Sequence, residues 1–286
     1  MKPRLDIGVG PLQACTPGKS FVLHSPRLAL WLHRGNHHRG NLFREADIST
    51  TIPATDRLIL ALDVPTASEA REIVNSLADT VSFYKIGLEL FLSGGYFELA
   101  DWLRSRGKKV FADLKLFDVP QTVRSAVRQL RTRDVDFVTV HGNDAILRAA
   151  CDAADGDLGI LAVTVLTSLD RADMEDLGFE ADIGAVVLSR ARRAESIGCA
   201  GVISSGHEAA PIRAAVSHPF RIVVPGIRAA TEAGADDQKR TVDVETAFEA
   251  GADYIVMGRP IRNAADPARA AASVQERISA WFRRVG

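Results

Sequence analysis

From Asp56 onward the sequence repeats one unit, a short run rich in branched apolar residues followed by roughly 12 to 18 residues of helical periodicity. No other feature constrains the fold as strongly, because strand and helix in strict alternation is the signature of parallel βα units. The strand-like runs are "RLILALD" (57 to 63), "SFYKIGLEL" (82 to 90), "KVFADLK" (109 to 115), "DFVTVHG" (136 to 142), "LGILAVTVL" (158 to 166), "GVISS" (201 to 205), "RIVVPG" (221 to 226) and "YIVMG" (254 to 258). Helices are expected at "TASEAREIVNSLA", "QTVRSAVRQLRTR", "DIGAVVLSRARRAESIG" and "DVETAFEAG", where Gly198 and Gly251 fall at the C-terminal position that favours glycine. Eight such units predict an α/β fold of the (β/α)8 TIM-barrel type over residues 56 to 286, with its chemistry at the C-terminal ends of the strands. An open doubly wound sheet is the competing architecture. It lacks the G-x-G-x-x-G turn after its first strand.

Residues 1 to 55 differ: they lack sustained periodicity, and Lys2, Arg4, Lys19, Arg27, Arg34, Arg39 and Arg44 outnumber Asp6, Glu45 and Asp47. The expectation is a loosely ordered N-terminal extension ahead of a single catalytic domain. Its apolar patch "FVLHSPRLALWLH" is interrupted by His24 and Arg27 too early for a signal-peptide core, and His33, His37 and His38 read as solvated side chains rather than metal ligands. With a formal net charge of −1, the whole chain lacks the concentrated basic face that nucleic acid or an anionic membrane would call for. No apolar run is long enough to span a bilayer. Cys15, Cys151 and Cys199 are odd in number and share no metal-ligand spacing, so neither a disulfide framework nor a zinc site is expected, and a reducing, cytoplasmic location is. A small-molecule partner remains.

The third strand, "KVFADLKLFDVPQTV", breaks its apolar run with Asp113, Lys115 and then Asp118. Period-two alternation puts Asp113 and Lys115 on one face, and Asp63 at the end of the first strand and Lys85 in the second converge on the same mouth. Isolated buried charges are costly, whereas alternating carboxylates and ammoniums offset that cost by pairing and keep the lysines protonated. Across the barrel, "VVPGIR" and "VMGRPI" put Gly226, Arg228, Gly258 and Arg259 in the loops after strands seven and eight, where barrels commonly bind phosphate. Glycines let backbone N–H groups approach the anion and arginine forks contact its oxygens.

These motifs, "LALD", "YKIGLELF", "FADLKLFDVPQT", "VTVLTS", "PGIR", "DQKR" and "MGRPI" in order, resemble the orotidine 5′-phosphate decarboxylase family from about Arg57 to Pro260. The resemblance implies cofactor-free decarboxylation of orotidine 5′-phosphate to uridine 5′-phosphate, the last step of pyrimidine nucleotide synthesis, by a homodimer with shared active sites and no metal. It implies Lys115 as proton donor, with Asp113, Lys85 and Asp118 completing a charged network. Asp63 and Lys85 would contact ribose, Asp118 and Thr122 would reach the neighbouring subunit's site, and Thr167 and Ser168 would lie near the pyrimidine. Arg228, Gln238, Gly258 and Arg259 would grip the phosphate. The chain departs from the family's D-I-P-N-T at residues 118 to 122 in ways that spare Asp118 and Thr122, and its loop before Gln238 carries Asp236 and Asp237 and is one residue longer than usual. His141 and His207, at strand ends, match no required family position and are expected to pack or bond at the rim. Two alternatives remain: a barrel relative that uses D-x-K-x-x-D with Mg²⁺ on a sugar phosphate, which Lys85 opposes by repelling the metal, and a non-catalytic phosphosugar-binding barrel.

Overall fold

Alternation along the strands divides the apolar residues into two buried sets. Leu58, Leu60 and Leu62 belong to one cluster and Ile59 and Ala61 to the other, and the same division separates Tyr84 and Ile86 from Phe83, and Val110 and Ala112 from Phe111. Strands buried on both faces require helices outside and closure within. The computed structural model, which describes residues 52–156, 158–180, 182–228 and 241–285, has that architecture.

The strands are β1 (Leu58–Ala61), β2 (Phe83–Gly87), β3 (Lys109–Leu116), β4 (Phe137–Val140), β5 (Gly159–Val163), β6 (Gly201–Ile203), β7 (Arg221–Val224) and β8 (Tyr254–Met257). Each is parallel to the next, and β8 returns to β1 with Ile59 opposite Val256, closing a (β/α)8 barrel. The predicted runs hold every strand, except that β3 continues one residue further, to Leu116. One reading needs correction: Leu88 to Leu90, assigned to the second strand, begin a helix. A short apolar run fits either state. Gly87, which ends β2, is also the N-cap of that helix.

Outside the barrel lie α1 (Ala67–Leu77), α2 (Leu88–Ser93), α3 (Tyr96–Ser105), α4 (Pro120–Arg131), α5 (Asp144–Ala154) and α6 (Arg171–Asp176). They are followed by α7 (Ile183–Ile197), α8 (Gly206–Arg213), α9 (Val244–Glu249), α10 (Arg259–Arg262) and α11 (Pro267–Val285). The four expected helices correspond to α1, α4, α7 and α9. Thr66 caps α1 by accepting from the Glu69 N–H at 3.2 Å, and α4 buries Val123, Val127 and Leu130, one apolar stripe at spacings of four and three. Burying each such side chain contributes about 1.5 to 3 kcal/mol. Gly198 ends α7 with φ 95°, a left-handed conformation in which glycine carries no Cβ penalty.

The inner cluster fills the lower half of the barrel. Phe83 meets Tyr254 edge to face at 5.9 Å, and Ile52, ahead of the predicted domain boundary, is buried in the same cluster. Residues 1 to 51, including Cys15 and the four histidines of the expected extension, lie outside the described residues, as does the loop carrying Gln238. Among the described residues no helix is long and apolar enough to cross a membrane.

Candidate functional site

The inward face of each early strand starts apolar and ends charged. On β1 the order is Ile59, Ala61, then Asp63; on β2 it is Phe83, then Lys85; on β3 it is Phe111, Asp113, then Lys115. Because β1, β2 and β3 are adjacent, the charges at their C-terminal ends meet. The Lys85 ammonium lies 2.8 Å from Asp63 Oδ1 and 3.2 Å from Asp113 Oδ2, and Lys115 Nζ lies 2.8 Å from Asp113 Oδ1. The result is a continuous array: carboxylate, ammonium, carboxylate, ammonium.

Burial sets the electrostatics. The side chains of Lys85 and Asp113 are each 11% exposed, against 37% for Lys115 and 51% for Asp63, so the inner pair is fixed and the outer two face the opening. Burial alone would lower the Lys85 pKa, but the Asp113 and Asp63 carboxylates outweigh it and raise it above its ordinary value. Burial alone would likewise raise Asp113. Lys85, Lys115 and hydrogen bonds from Lys115 and Thr139 hold it instead at about 2. Both inner groups therefore stay ionised at neutral pH.

Lys115 owes its position to a break in the sheet. Ala112 pairs with Val138 and Leu116 with Val140, so three residues of β3 stand opposite Thr139 alone. Lys115 takes φ 45°, a left-handed conformation that strains a side-chain-bearing residue, and such strain concentrates at functional sites. Its N–H donates to Thr139 Oγ1 at 2.9 Å, and the Thr139 hydroxyl donates to Asp113 Oδ1 at 2.9 Å. Thr139, fully buried, thus fixes both ends of the Asp113–Lys115 pair. Sequence reasoning missed it. The available signal was a hydroxyl on the inward face of "FVTV", where neighbouring strands carry Asp113 and Leu161.

A cavity of about 580 Å³ opens over the array, and Asp63, Lys85, Asp113, Lys115, Thr167, Arg228, Gly258 and Arg259 all line it. On the side away from the lysines, Gly226 takes φ 75°, and the Arg228 N–H donates to the Val242 carbonyl at 3.0 Å. A Cβ on Gly258 would lie 3.4 Å from Ala61 Cβ and 4.0 Å from Asp63 Oδ2, at ordinary contact distance, which places Gly258 beside the end of β1. Arg262, which also lines the cavity, donates from Nη1 to the Asp63 main-chain carbonyl and so ties α10 to the carboxylate end of the array. Sequence reasoning missed that residue too.

Three predicted residues lie elsewhere. Asp118, Thr122 and Ser168 are exposed and do not line the cavity, and Asp118 Oδ1 accepts the Val119 N–H at 2.6 Å. Close to Asp118, Phe117 and Val119 are 67% and 63% exposed, and Leu92 on α2 is 82% exposed. His141 packs against Phe117 with ring centroids 5.2 Å apart, while burial, Arg190 and Lys115 together lower its pKa. His207 is exposed in the first turn of α8.

Comparison with known proteins gives a consistent result. The family model described as "Orotidine 5'-phosphate decarboxylase / HUMPS family" matches residues 56–274. A protein of Methylococcus capsulatus named orotidine 5′-phosphate decarboxylase is 59% identical over 231 residues, covering 81% of this chain and 95% of its own length. One of that name from Xanthomonas euvesicatoria is 52% identical, covering 82% of this chain and 97% of its own. Among solved structures, the orotidine 5′-phosphate decarboxylase of Lactobacillus acidophilus superposes with a TM-score of 0.70 at 31% identity, covering 78% of this chain and 99% of that one.

Proposed function

The chain belongs to the orotidine 5′-phosphate decarboxylase / HUMPS family, and from that premise we propose that it decarboxylates orotidine 5′-phosphate to uridine 5′-phosphate without a cofactor. The observation that carries this reading is the Asp63–Lys85–Asp113–Lys115 array at the floor of the cavity. Loss of CO₂ leaves an electron pair in the plane of the pyrimidine ring, out of reach of its π system. A fixed ammonium is the remedy this site offers: Lys115, held by Asp113 and partly open to the cavity, stabilises the developing charge and then donates its proton to carbon 6. Asp113 orients that ammonium and, ionised at neutral pH, repels a substrate carboxylate placed beside it. Asp63 and Lys85 take the ribose, Thr167 the pyrimidine, and Arg228, Gln238, Gly258 and Arg259 the phosphate, while Ser168, exposed outside the cavity, is left without a role in it. Binding energy from the phosphate, remote from the breaking bond, holds the ring against the array.

Metal-dependent chemistry on a sugar phosphate is the second reading within the family's barrel. Lys85 Nζ stands between Asp63 and Asp113, in the position a divalent cation would need in order to use both carboxylates. An assay on orotidine 5′-phosphate, following loss of orotate absorbance with and without EDTA, separates the two. Turnover that survives the chelator supports metal-free decarboxylation, and no turnover, or turnover only with added Mg²⁺, overturns it.

The working unit in this reading is a homodimer with shared sites and a small-molecule substrate, in the cytoplasm, with no nucleic-acid or membrane partner. Exposure of Asp118 and Thr122 beside Phe117 and Val119 supports a role for these residues across the subunit boundary. Mixing inactive Lys115→Ala with inactive Asp118→Ala under subunit exchange tests it. Random pairing makes about half the dimers mixed, each with one intact site, so activity recovers to about a quarter of wild type. No recovery after verified exchange would make Asp118 a residue of its own chain's site.

A further inference from the structure

The fold brings together two thiols 48 positions apart in sequence, Cys151 and Cys199, whose Sγ atoms lie 3.5 Å apart. Cys151 sits on α5, which packs by Ile146, Leu147, Ala150 and Ala154. Cys199 follows the α7 cap Gly198, and its N–H donates to the Ala194 carbonyl at 3.0 Å. Each sulfur is thus carried on packed backbone, and closing the gap to a disulfide needs an approach of about 1.5 Å, within reach of side-chain rotation. The two environments differ: Cys151 is partly exposed and Cys199 is buried at 6%.

We propose that Cys151 and Cys199 are a modification site, a dithiol that a hydroperoxide converts to a reversible disulfide, with Cys151 as the attacking thiol and Cys199 as the resolving one. Exposure supports this division of labour: a peroxide reaches the partly exposed Cys151, while Cys199 is buried behind it in contact with its sulfur. In the first step the Cys151 thiolate attacks a peroxide oxygen, the O–O bond breaks, and sulfenic acid forms as water or an alcohol leaves. In the second the Cys199 sulfur attacks the Cys151 sulfur, the S–O bond breaks, and the hydroxyl departs as water with the Cys199 proton. Two electrons pass from the thiols to the peroxide, and a thiol reductant reverses the change.

The bond would link the C-terminal half of α5 to the entry of β6, around a segment containing β5, α6 and α7. Cys199 precedes β6, at the barrel end opposite the cavity, so oxidation leaves the Asp63–Lys85–Asp113–Lys115 array untouched and restricts the unfolded chain instead. The inference stands whether or not the chain decarboxylates orotidine 5′-phosphate.

The test treats the native full-length chain, and a Cys15→Ser variant that removes competing pairs, with hydrogen peroxide, and maps the products by mass spectrometry of non-reduced peptides. The expected result is a Cys151–Cys199 linked peptide lacking two hydrogens, reversed by dithiothreitol, in a protein that unfolds about 5 to 10 °C higher than its reduced form. Cys199→Ser should strand Cys151 as a sulfenic acid that dimedone captures. Cys151→Ser should leave Cys199 unoxidised. A native chain that forms no such link at peroxide concentrations that oxidise added glutathione, or that forms it only in denaturant, would overturn the proposal.

Discussion

Replacing Thr139 by valine tests the local construction of the site more sharply than changing any charged residue. Valine nearly fills the space of threonine, so the change removes a hydroxyl and opens little cavity. That hydroxyl accepts the Lys115 N–H and donates to Asp113 Oδ1, each at 2.9 Å, and Thr139 is fully buried. Losing a hydrogen bond to a charged acceptor costs about 1.5 to 3 kcal/mol, and leaving a buried N–H unpaired costs about 1 to 3 kcal/mol. We expect Thr139→Val to lose about 3 to 5 kcal/mol in urea unfolding, with the Asp113 carboxyl rising from its depressed value. Because the same two bonds hold Lys115 at φ 45°, kcat/KM should fall by about 10- to 100-fold. Thr139→Ser keeps the hydroxyl and should stay within about 1 kcal/mol of wild type. A valine variant with wild-type unfolding and kcat/KM within about twofold would refute the argument that Thr139 fixes the pair.

Three further outcomes follow from the same account. Arg259→Ala should raise KM before it lowers kcat, at a cost of about 2 to 4 kcal/mol in kcat/KM for a lost charge-assisted phosphate contact, and unchanged kinetics would remove Arg259 from the site. Asp113, depressed to about 2 in the folded chain, contributes stability that is present above its unfolded value and lost as pH falls through the folded one. Urea unfolding should therefore weaken from about pH 4 to about pH 2 in wild type, with a smaller slope in Asp113→Asn, and parallel profiles would contradict the pairing. Deleting residues 1 to 50, which leaves Ile52 in the inner cluster, should change activity and melting temperature little, and loss of folded protein would assign that segment a packing role.

The barrel was legible because each strand carries its own periodicity and each buried face its own apolar set. Asp63, Lys85, Asp113 and Lys115 could be grouped for the same reason: strand period and strand adjacency together decide where an inward side chain ends up. Leu88 to Leu90 were misread because "LEL" after a glycine suits strand and helix equally, and the choice is made by the turn at Gly87. Helix α5 went unread because its buried face relies largely on alanine, which leaves little contrast for a periodicity argument. Thr139 and Arg262 were invisible for a different cause. Their roles rest on main-chain groups of distant residues, the Lys115 N–H and the Asp63 carbonyl, and side-chain type alone does not encode such a contact. The meeting of Cys151 with Cys199 likewise depends on how α5 packs beside the α7–β6 turn.

The central claim is that the Lys115 ammonium carries the chemistry while the rest of the cavity carries the binding. Measuring turnover of orotidine 5′-phosphate and calorimetric affinity for uridine 5′-phosphate on one preparation of Lys115→Ala tests it most directly. The account predicts loss of nearly all turnover with affinity for the product retained, since Asp63, Arg228 and Arg259 remain around the cavity. A variant whose kcat is comparable to wild type would contradict it.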